Sequence, residues 1–300
     1  MTHSSLSNVI RYFFNSPSRR TLQLDLIMLS KEKLKELSQL KTKKGRNQQG
    51  KFLIEGLRLC EEVADSSWSI ESALFTRSFE GKTRGEKLLV KMQKLAVRMM
   101  PVKNHDLTKL SDTVTAPGIM CVVKTKRYPI EDLWKKNLKL VLALDGVRDP
   151  GNVGTLIRTA DAFGIDGVIL SDDTVELYNP KLVRSTMGSI FHLPIFEEVD
   201  LEKTIPELKK KRFRILGTDV KKGESLYEMV SMSNHNLDYS EKVCLLMGNE
   251  AEGLNRDLLT LSDQIVNIPI YGKAESLNVA VVGGILLYEI TRNRMPGPKP

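Results

Sequence analysis

The sequence predicts an α/β protein in which a C-terminal parallel sheet, covered on both faces, follows a smaller α/β domain. Three observations carry this reading. From Leu138 onward, short apolar and β-branched runs alternate with helical stretches, the order that builds a parallel sheet buried between layers of helices. Upstream, "SIESALFT", "LAVRMMPV" and "GIMCVVK" are β-leaning segments set between helical ones, giving a small domain that closes near Lys124. Between the two, "KTKRYPIEDLWKKN" reads as a polar linker. The expected divisions are a leader over 1–28, a first domain over 29–124, a linker over 125–137, a second domain over 138–293 and a tail over 294–300.

The leader carries no Asp or Glu from Met1 to Leu24, and Arg11, Arg19 and Arg20 fall among serines and the apolar "VIRYFF". That composition is similar to an organelle transit peptide. "MLSKEKLKEL" from Met28 reads equally well as a start of translation before a helix, which would make the leader a disordered extension or a start-site error. A cytoplasmic location is expected, or a mitochondrial or plastid matrix if residues 1–27 are a transit peptide.

In the first domain, Leu34, Leu37 and Leu40 recur at helical spacing. The stretch from Lys41 to Lys51 has five basic residues and no acidic one, and reads as a basic, Gly-punctuated loop before the amphipathic "FLIEGLRLCEEVA". In the second domain the strand candidates are "LKLVLALD", "GVILS", "LPIFEEV", "FRILGTDV", "KVCLLMG" and "QIVNIPI". Asn179 before Pro180 is a helix cap followed by a first-turn proline, and Asn255 can cap "RDLLTL". The last helix is expected from about Leu277 to Arg292, with Gly283 and Gly284 inside it. An interior Gly costs about 1 kcal/mol relative to Ala. Close approach of another backbone would compensate, so a helix partner, for instance across a dimer, is expected.

Composition narrows the function classes. The 300 residues are 41% hydrophobic and 27% charged, typical of a globular chain able to bury a sizeable core. Lys and Arg total 45 against 37 Asp and Glu, a net charge of +8 that favours a polyanionic partner. No run approaches the roughly 18 apolar residues that spanning a bilayer requires. Cys60, Cys121 and Cys244 have no metal-ligand spacing and no neighbouring His, so they are expected to be buried and reduced, with no metal bound. His105 and His192 have no partner legible in the sequence and are expected to be structural or exposed.

Three stretches could carry chemistry. "LDGVRDPGNVGTLIRTADAFG", from Leu144, invites comparison with a phosphate loop, since four residues separate Gly146 from Gly151. Asn152 and Val153 occupy the places of the Lys and Ser/Thr that would meet phosphate and magnesium, which disfavours a nucleotide hydrolase. What remains is a strand, a tight turn and a helix beginning near Asn152, with Arg158 in its second turn. "LLMGNEAEGLN" runs from an apolar strand into Gly248, Asn249, Glu250 and Gly253, where small residues let a ligand approach the backbone. "NIPIYGKAESLNVAVVGGILLYEI" joins a strand, a loop holding Ser276 and Asn278, and the last helix. Ser276 or Asn278 could equally serve only to cap that helix. A carboxylate at Glu250 needs a partner, and Arg158 is the obvious one.

Together these stretches resemble, in order and spacing, the three motifs of the SpoU/TrmH branch of the SPOUT RNA methyltransferases. The first is matched by "DPGNVGTLIRTADAFG", the second by "LMGNEAEGL" and the third by "IPIYGKAESLNVAVVGGILLYE", so the resemblance covers Leu138 to Arg292. The N-terminal half, with "KKGR" and "FLIEGLRLCEEV", is similar to the RNA substrate-binding domain of the family's rRNA enzymes, a small fold like that of certain ribosomal proteins. The resemblance implies a SPOUT domain whose C-terminal segment forms a deep trefoil knot, where sequence patterning alone predicts an ordinary doubly wound sheet. It further implies a homodimer built through that domain and S-adenosylmethionine bent into the crevice. Gly248, Ile268 and Leu277 would hold the methyl donor, with Asn249 and Gly253 of the same turn and Thr218 at the end of "FRILGTDV".

The implied reaction is methylation of a ribose 2'-hydroxyl in RNA without a metal. Arg158 matches the arginine essential to activating that hydroxyl; Asn152, Glu250, Ser276 and Asn278 match the polar residues around it. A guanidinium stays protonated, so Arg158 is better read as gripping the neighbouring phosphate and letting it, or a coupled network, take the proton. Lys41, Lys43, Lys44 and Arg46 are expected to neutralise RNA phosphate. The domain architecture tilts the substrate towards large-subunit rRNA. The alternatives are a tRNA 2'-O-methyltransferase, a base methyltransferase of the same fold, or a non-catalytic ribosome-assembly factor.

Overall fold

The computed structural model describes residues 29–113, 116–135, 138–220, 222–225 and 242–292. The expected leader and the expected tail lie outside these residues. Two sheets organise the chain, the first ending at Lys124 and the second beginning at Leu140.

The first sheet has the order β1 (Lys51–Glu55), β4 (Ile119–Lys124), β2 (Ile70–Phe75), β3 (Arg98–Pro101), with β4 antiparallel to both its neighbours and β2 parallel to β3. Alternation along the strands assigns its two faces. Leu74, Met120 and Val122 face α1 (Lys31–Gln39) and α6 (Asn104–Leu110), in a core shared with Leu37, Leu40, Leu107 and Leu110. Phe52, Ile54, Phe75, Cys121 and Val123 face the other way, with α3 (Leu57–Asp65) and α5 (Thr83–Lys94). A short helix, α4 (Arg77–Glu80), joins β2 to α5. The basic stretch expected as a loop is instead a helix, α2 (Lys43–Gln49). Thr42 caps its start, accepting from the Gly45 N–H at 3.1 Å, and Gly50 ends it in the left-handed region at φ 61°.

The second sheet is parallel throughout. It has the order β7 (Ile195–Val199), β6 (Gly167–Ser171), β5 (Leu140–Leu144), β10 (Lys242–Met247), β8 (Phe213–Thr218), β11 (Gln264–Asn267), β9 (Glu224–Ser225). β5 and β6 are buried at every position because helices cover both faces, which is why they read as unbroken apolar runs. One face carries α8 (Pro150–Ala162), α9 (Pro180–Ser185) and α12 (Val279–Thr291). The other carries α7 (Glu131–Lys135), α10 (Leu201–Lys210) and α11 (Arg256–Leu261). Asn179 and Asn255 cap α9 and α11 as expected. Gly283 of α12 finds its partner within the chain. A Cβ there would lie 2.3 Å from the Leu156 Cδ2 of α8 and 3.2 Å from the Met247 Sδ of β10, so the close approach is to side chains of the same molecule.

The two sheets share one core. The cluster that holds Phe52, Val63 and Trp68 continues without a break through Leu142, Leu156, Tyr178 and Phe191. Phe52 and Tyr178 bring their ring centroids to 4.7 Å, and Trp68 meets Phe191 edge-on at 5.3 Å. The segment expected as a polar linker is also anchored: Leu133 is buried in the second core, with Tyr128, Ile130 and Trp134 packed against it. Its charges alternate with apolar residues that a surface needed, and the charge dominated the sequence reading. Cys60, Cys121 and Cys244 are buried free thiols. Burial pushes the Cys60 thiol up, and the Cys244 thiol up to about 12, so both are held as inert SH groups. No helix among the described residues is long and apolar enough to cross a membrane.

Candidate active site

All strands of the second sheet run the same way, so β5, β10 and β11 deliver their C-terminal ends, and the three glycine-rich stretches, to one edge. This edge is where open α/β sheets place their sites. Asp149 starts α8 by accepting from the Asn152 N–H at 2.9 Å, and Pro150 follows in the first turn. Lys181 of α9 reaches across to Asp149 at 2.9 Å, and this contact, with the Asn152 N–H, holds the Asp149 carboxyl below its usual range.

Asn152 is thereby placed at the mouth of the helix, and its amide joins the three stretches. The Asn152 Nδ2 donates to Glu250 Oε1 at 2.5 Å, while its Oδ1 accepts from Asn278 Nδ2 at 2.9 Å. Asn278 does two things at once, because its Oδ1 also accepts from the Ala280 and Val281 N–H groups and so caps α12. Capping was one of two readings of this residue, and the geometry shows both holding together.

Glu250 does not pair with Arg158. Arg158 lies six residues beyond Asn152, about 9 Å along the helix axis at 1.5 Å per residue, so the carboxylate at the helix mouth meets the amide first. Among the described residues Arg158 is exposed and makes no hydrogen bond or ion pair, leaving its guanidinium available to an incoming anion.

The turn that holds Glu250 is tightly built. Asn249 and Gly253 exchange backbone hydrogen bonds of 3.1 Å in both directions, and the Asn249 Oδ1 accepts from Ala251 and Glu252. A Cβ on Gly248 would stand 2.1 Å from the Gly253 carbonyl, so no larger residue fits. Ile268 is half-buried against the main core, and Leu277 is exposed beside Asn278. Ser276 is exposed in the same loop. The Thr218 hydroxyl donates to the Leu246 carbonyl at 3.2 Å, so it ties β8 to β10.

The expected phosphate cluster divides. Lys43 and Lys44 are exposed on α2. Lys41 contacts Asp112 and the Ser111 carbonyl, both at 3.0 Å. Arg46 is only 3% exposed: it donates through Nε to Glu176 at 2.8 Å, pairs with it again through Nη2, and bonds the Leu40 carbonyl. It is a strut between the two sheets and is closed to RNA. Sequence reasoning also missed Asp145, which directly follows β5, accepts from the Asn255 N–H, and is pushed up by burial with Asp173 and Glu202 adding to the effect. An acid closing the wholly apolar "LVLAL" was the available signal.

A SpoU rRNA Methylase family model matches residues 139–288, half of the chain and all three stretches. The chain belongs to the SpoU rRNA methylase family. A second model, the MRM3-like substrate binding domain, matches residues 31–121 of this SpoU chain. The 23S rRNA (guanosine(2553)-2'-O)-methyltransferase RlmP of Bacillus subtilis is 34% identical over 86% of this chain and 96% of its own length. Among solved structures, an AdoMet-bound rRNA methyltransferase from Sinorhizobium meliloti superposes with TM-score 0.77 at 29% identity, covering 90% of this chain and 99% of its own. The SpoU methyltransferase AviRb from Streptomyces viridochromogenes, in complex with AdoMet, gives TM-score 0.76 at 27% identity, over 88% and 98%.

Proposed function

We propose that this protein transfers a methyl group from S-adenosylmethionine to a ribose 2'-hydroxyl of RNA, in large-subunit rRNA. The observation that carries the proposal is the hydrogen-bonded chain Glu250–Asn152–Asn278, drawn from three separate stretches, on the helix that presents an unpaired Arg158. The 2'-O-methylation of 23S rRNA by RlmP, and by a 23S rRNA (uridine(2479)-2'-O)-methyltransferase of Streptomyces viridochromogenes, supports the same reading.

Residues 268–277 fit a cofactor held through main-chain groups. Among the described residues their backbone N–H and C=O groups have no hydrogen-bond partner, which leaves them open to a ligand. Gly248, Ile268 and Leu277 would hold the adenine portion; Asn249 and Gly253 shape the turn of Gly248, and Thr218 ties β8 to β10. S-adenosylmethionine, when bound, supplies a methyl group activated by a positively charged sulfur. Everything else falls to the chain. The Asn152 amide, fixed by partners on both sides, orients the ribose. Arg158 grips the phosphate next to it, so that the hydroxyl loses its proton to that phosphate or a coupled network beside a fixed positive charge. Positioning then supplies much of the acceleration. Ser276, exposed beside Asn278, completes the polar rim.

The first domain would bind the substrate, with Lys43 and Lys44 meeting phosphate. Leu277, Val281, Ile285 and Tyr288 make an exposed apolar face along α12 and its approach, which supports a homodimer through this domain. Insertion of β10 between β5 and β8, with β11 beyond β8, supports the knotted path that the resemblance implies.

The test is tritiated methyl transfer from S-adenosylmethionine to total large-subunit rRNA, with the product mapped by resistance of the modified linkage to alkali. Wild type should give one resistant linkage, and Arg158→Ala should lower the rate by roughly 10²–10³-fold. Donor binding and RNA binding without methyl transfer to rRNA or tRNA would make the assembly-factor reading the better one.

A further inference from the structure

A second groove lies away from the three glycine-rich stretches, at the β7 edge of the large sheet where the connecting segment passes from one sheet to the other. It encloses about 630 Å³ and is lined by Arg127, Tyr128, Glu197, Glu198, Asp200 and Lys203 among others. That volume is in the range of roughly 300–1,000 Å³ typical of ligand sites.

The strand is deformed here. The register of β7 against β6 shifts between Ile169 and Ser171, and Glu198 adopts φ 56°, a left-handed conformation that costs a non-glycine residue on the order of 1 kcal/mol or more. Bulges of this kind re-aim side chains. The neighbouring Glu197 turns into the groove wall, where its Oε1 is buried and has no hydrogen-bond partner among the described residues. Burial pushes its carboxyl up to about 7; Arg127 and Lys43 oppose the effect, and Glu198 and Glu176 add to it. A buried acceptor without a donor is costly, and a turn of the Glu197 side chain that brings Oε1 out to the groove surface would let a ligand supply one.

The groove is acidic inside a basic protein. Its two cations are already engaged, Arg127 with Glu198 at 3.7 Å and Lys203 with Asp200 at 2.6 Å, so a phosphate would meet unbalanced carboxylate. Lys43, close enough to influence Glu197, and Lys44 stand exposed on α2 nearby and suit the phosphates of a strand running past. The seam itself is rigid. The Tyr178 hydroxyl donates to the Lys126 carbonyl at 2.7 Å and accepts from its N–H at 3.0 Å, locking the connecting segment against both sheets.

We propose that this groove receives an unpaired guanine of the substrate RNA, with the Glu197 carboxylate accepting from the Watson–Crick edge of the base. The proposal rests on the RNA-methyltransferase reading above. At pH 8 and above, where the Glu197 carboxyl is mostly ionised, it offers only acceptors. Guanine alone presents two adjacent donors, the N1–H and the 2-amino group. Adenine and cytosine present one amino group beside a ring acceptor, and uracil one N–H between two carbonyls that a carboxylate repels. Unpaired bases are read by hydrogen bonds on this edge. A cationic amine would answer the carboxylates but would be opposed by Arg127 and Lys43, whereas guanine brings its donors without charge.

The experiment uses the full chain and fluorescein-labelled oligouridylates of one length carrying a single central guanosine, inosine or adenosine, with binding read by anisotropy. At pH 8.5 wild type should prefer guanosine over adenosine by roughly tenfold, with inosine, which lacks the 2-amino group, between them. Glu197→Gln should erase the preference while leaving binding of the adenosine oligomer unchanged. A 6-thioguanosine in the central position should photocrosslink to the peptide containing Tyr128 or to that containing Glu197. The crosslink requires no variant, so misfolding of Glu197→Gln would not protect the proposal. Equal binding of the three oligomers by wild type overturns it, as does crosslinking confined to other peptides. If no RNA binds and no methyl moves to rRNA on the same preparation, it is the RNA reading that falls, and this proposal with it.

Discussion

Two arginines mark two regions of the molecule built on opposite rules. At the seam between the sheets, Arg46 is buried and each nitrogen of its guanidinium is bonded, to Glu176 or to the Leu40 carbonyl. On α8, Arg158 is exposed with no partner among the described residues, six residues beyond the Asn152 that meets Glu250. The seam pairs its charges, as Arg184 and Glu55 do again at 3.1 Å, while α8 leaves the Arg158 charge in water, where the proposed reaction would use it. A charge belongs to structure when the fold supplies its counter-charge, and to function when the fold withholds it.

The sharpest way to break this contrast is to remove both arginines in turn. Arg46→Ala leaves Glu176 buried and unpaired and should cost about 3–5 kcal/mol of stability in urea unfolding. Arg158→Ala should stay within about 0.5 kcal/mol of wild type in the same titration. Equal losses would mean that the seam is not the stabilising region.

Glu197 sits between the two rules, buried like Arg46 and unpaired like Arg158. Its folded pKa, about 7, lies above the ordinary 4.5, so the folded state holds the proton more tightly. The cost of ionising it is absent below pH 4.5, grows as pH rises towards 7, and is complete above, on the order of 3 kcal/mol at most. Glu197→Gln should therefore raise the Tm at pH 8 and leave it near wild type at pH 4. A pH-independent difference would show that the buried charge is not its source.

The smallest effect is expected at His192. Burial opposes its charge, but Asp161 at 2.8 Å on α8 and Glu62 at 3.3 Å on α3 outweigh this and raise its pKa, so the ring bridges the two sheets. The stabilisation is full below about 6.5, the ordinary value for His, and is lost as pH rises through the raised one. The Tm difference between wild type and His192→Gln should shrink from pH 6 to pH 8.5. A constant difference would assign His192 a packing role alone.

What could be read in advance follows from the range of the interactions. The strands "LVLAL" and "KVCLLM", the caps Asn179 and Asn255, and the three glycine-rich stretches announce themselves within a few residues, because burial on both faces and capping are local demands. Arg46 was misread as surface because its partner is 130 positions away, and a run of basic residues looks the same whether or not a carboxylate waits across the seam. The same blindness hid the docking of Tyr128 and Trp134 and the true partner of Glu250, since charge complementarity suggested Arg158 where helix geometry selected Asn152. The bulge at Glu198 left no mark in "LPIFEEV".

The place of β10 bears on how the molecule is made. A ribosome delivers β5 and β8 well before Lys242, yet the two are joined only through the strand that arrives after them. Until then the nascent chain carries two uncovered strand edges, each able to pair with a stranger. Gly248 and Glu250 emerge directly behind the strand that closes the gap. A product terminated before Lys242 therefore lacks both the middle of its sheet and the middle of its proposed site.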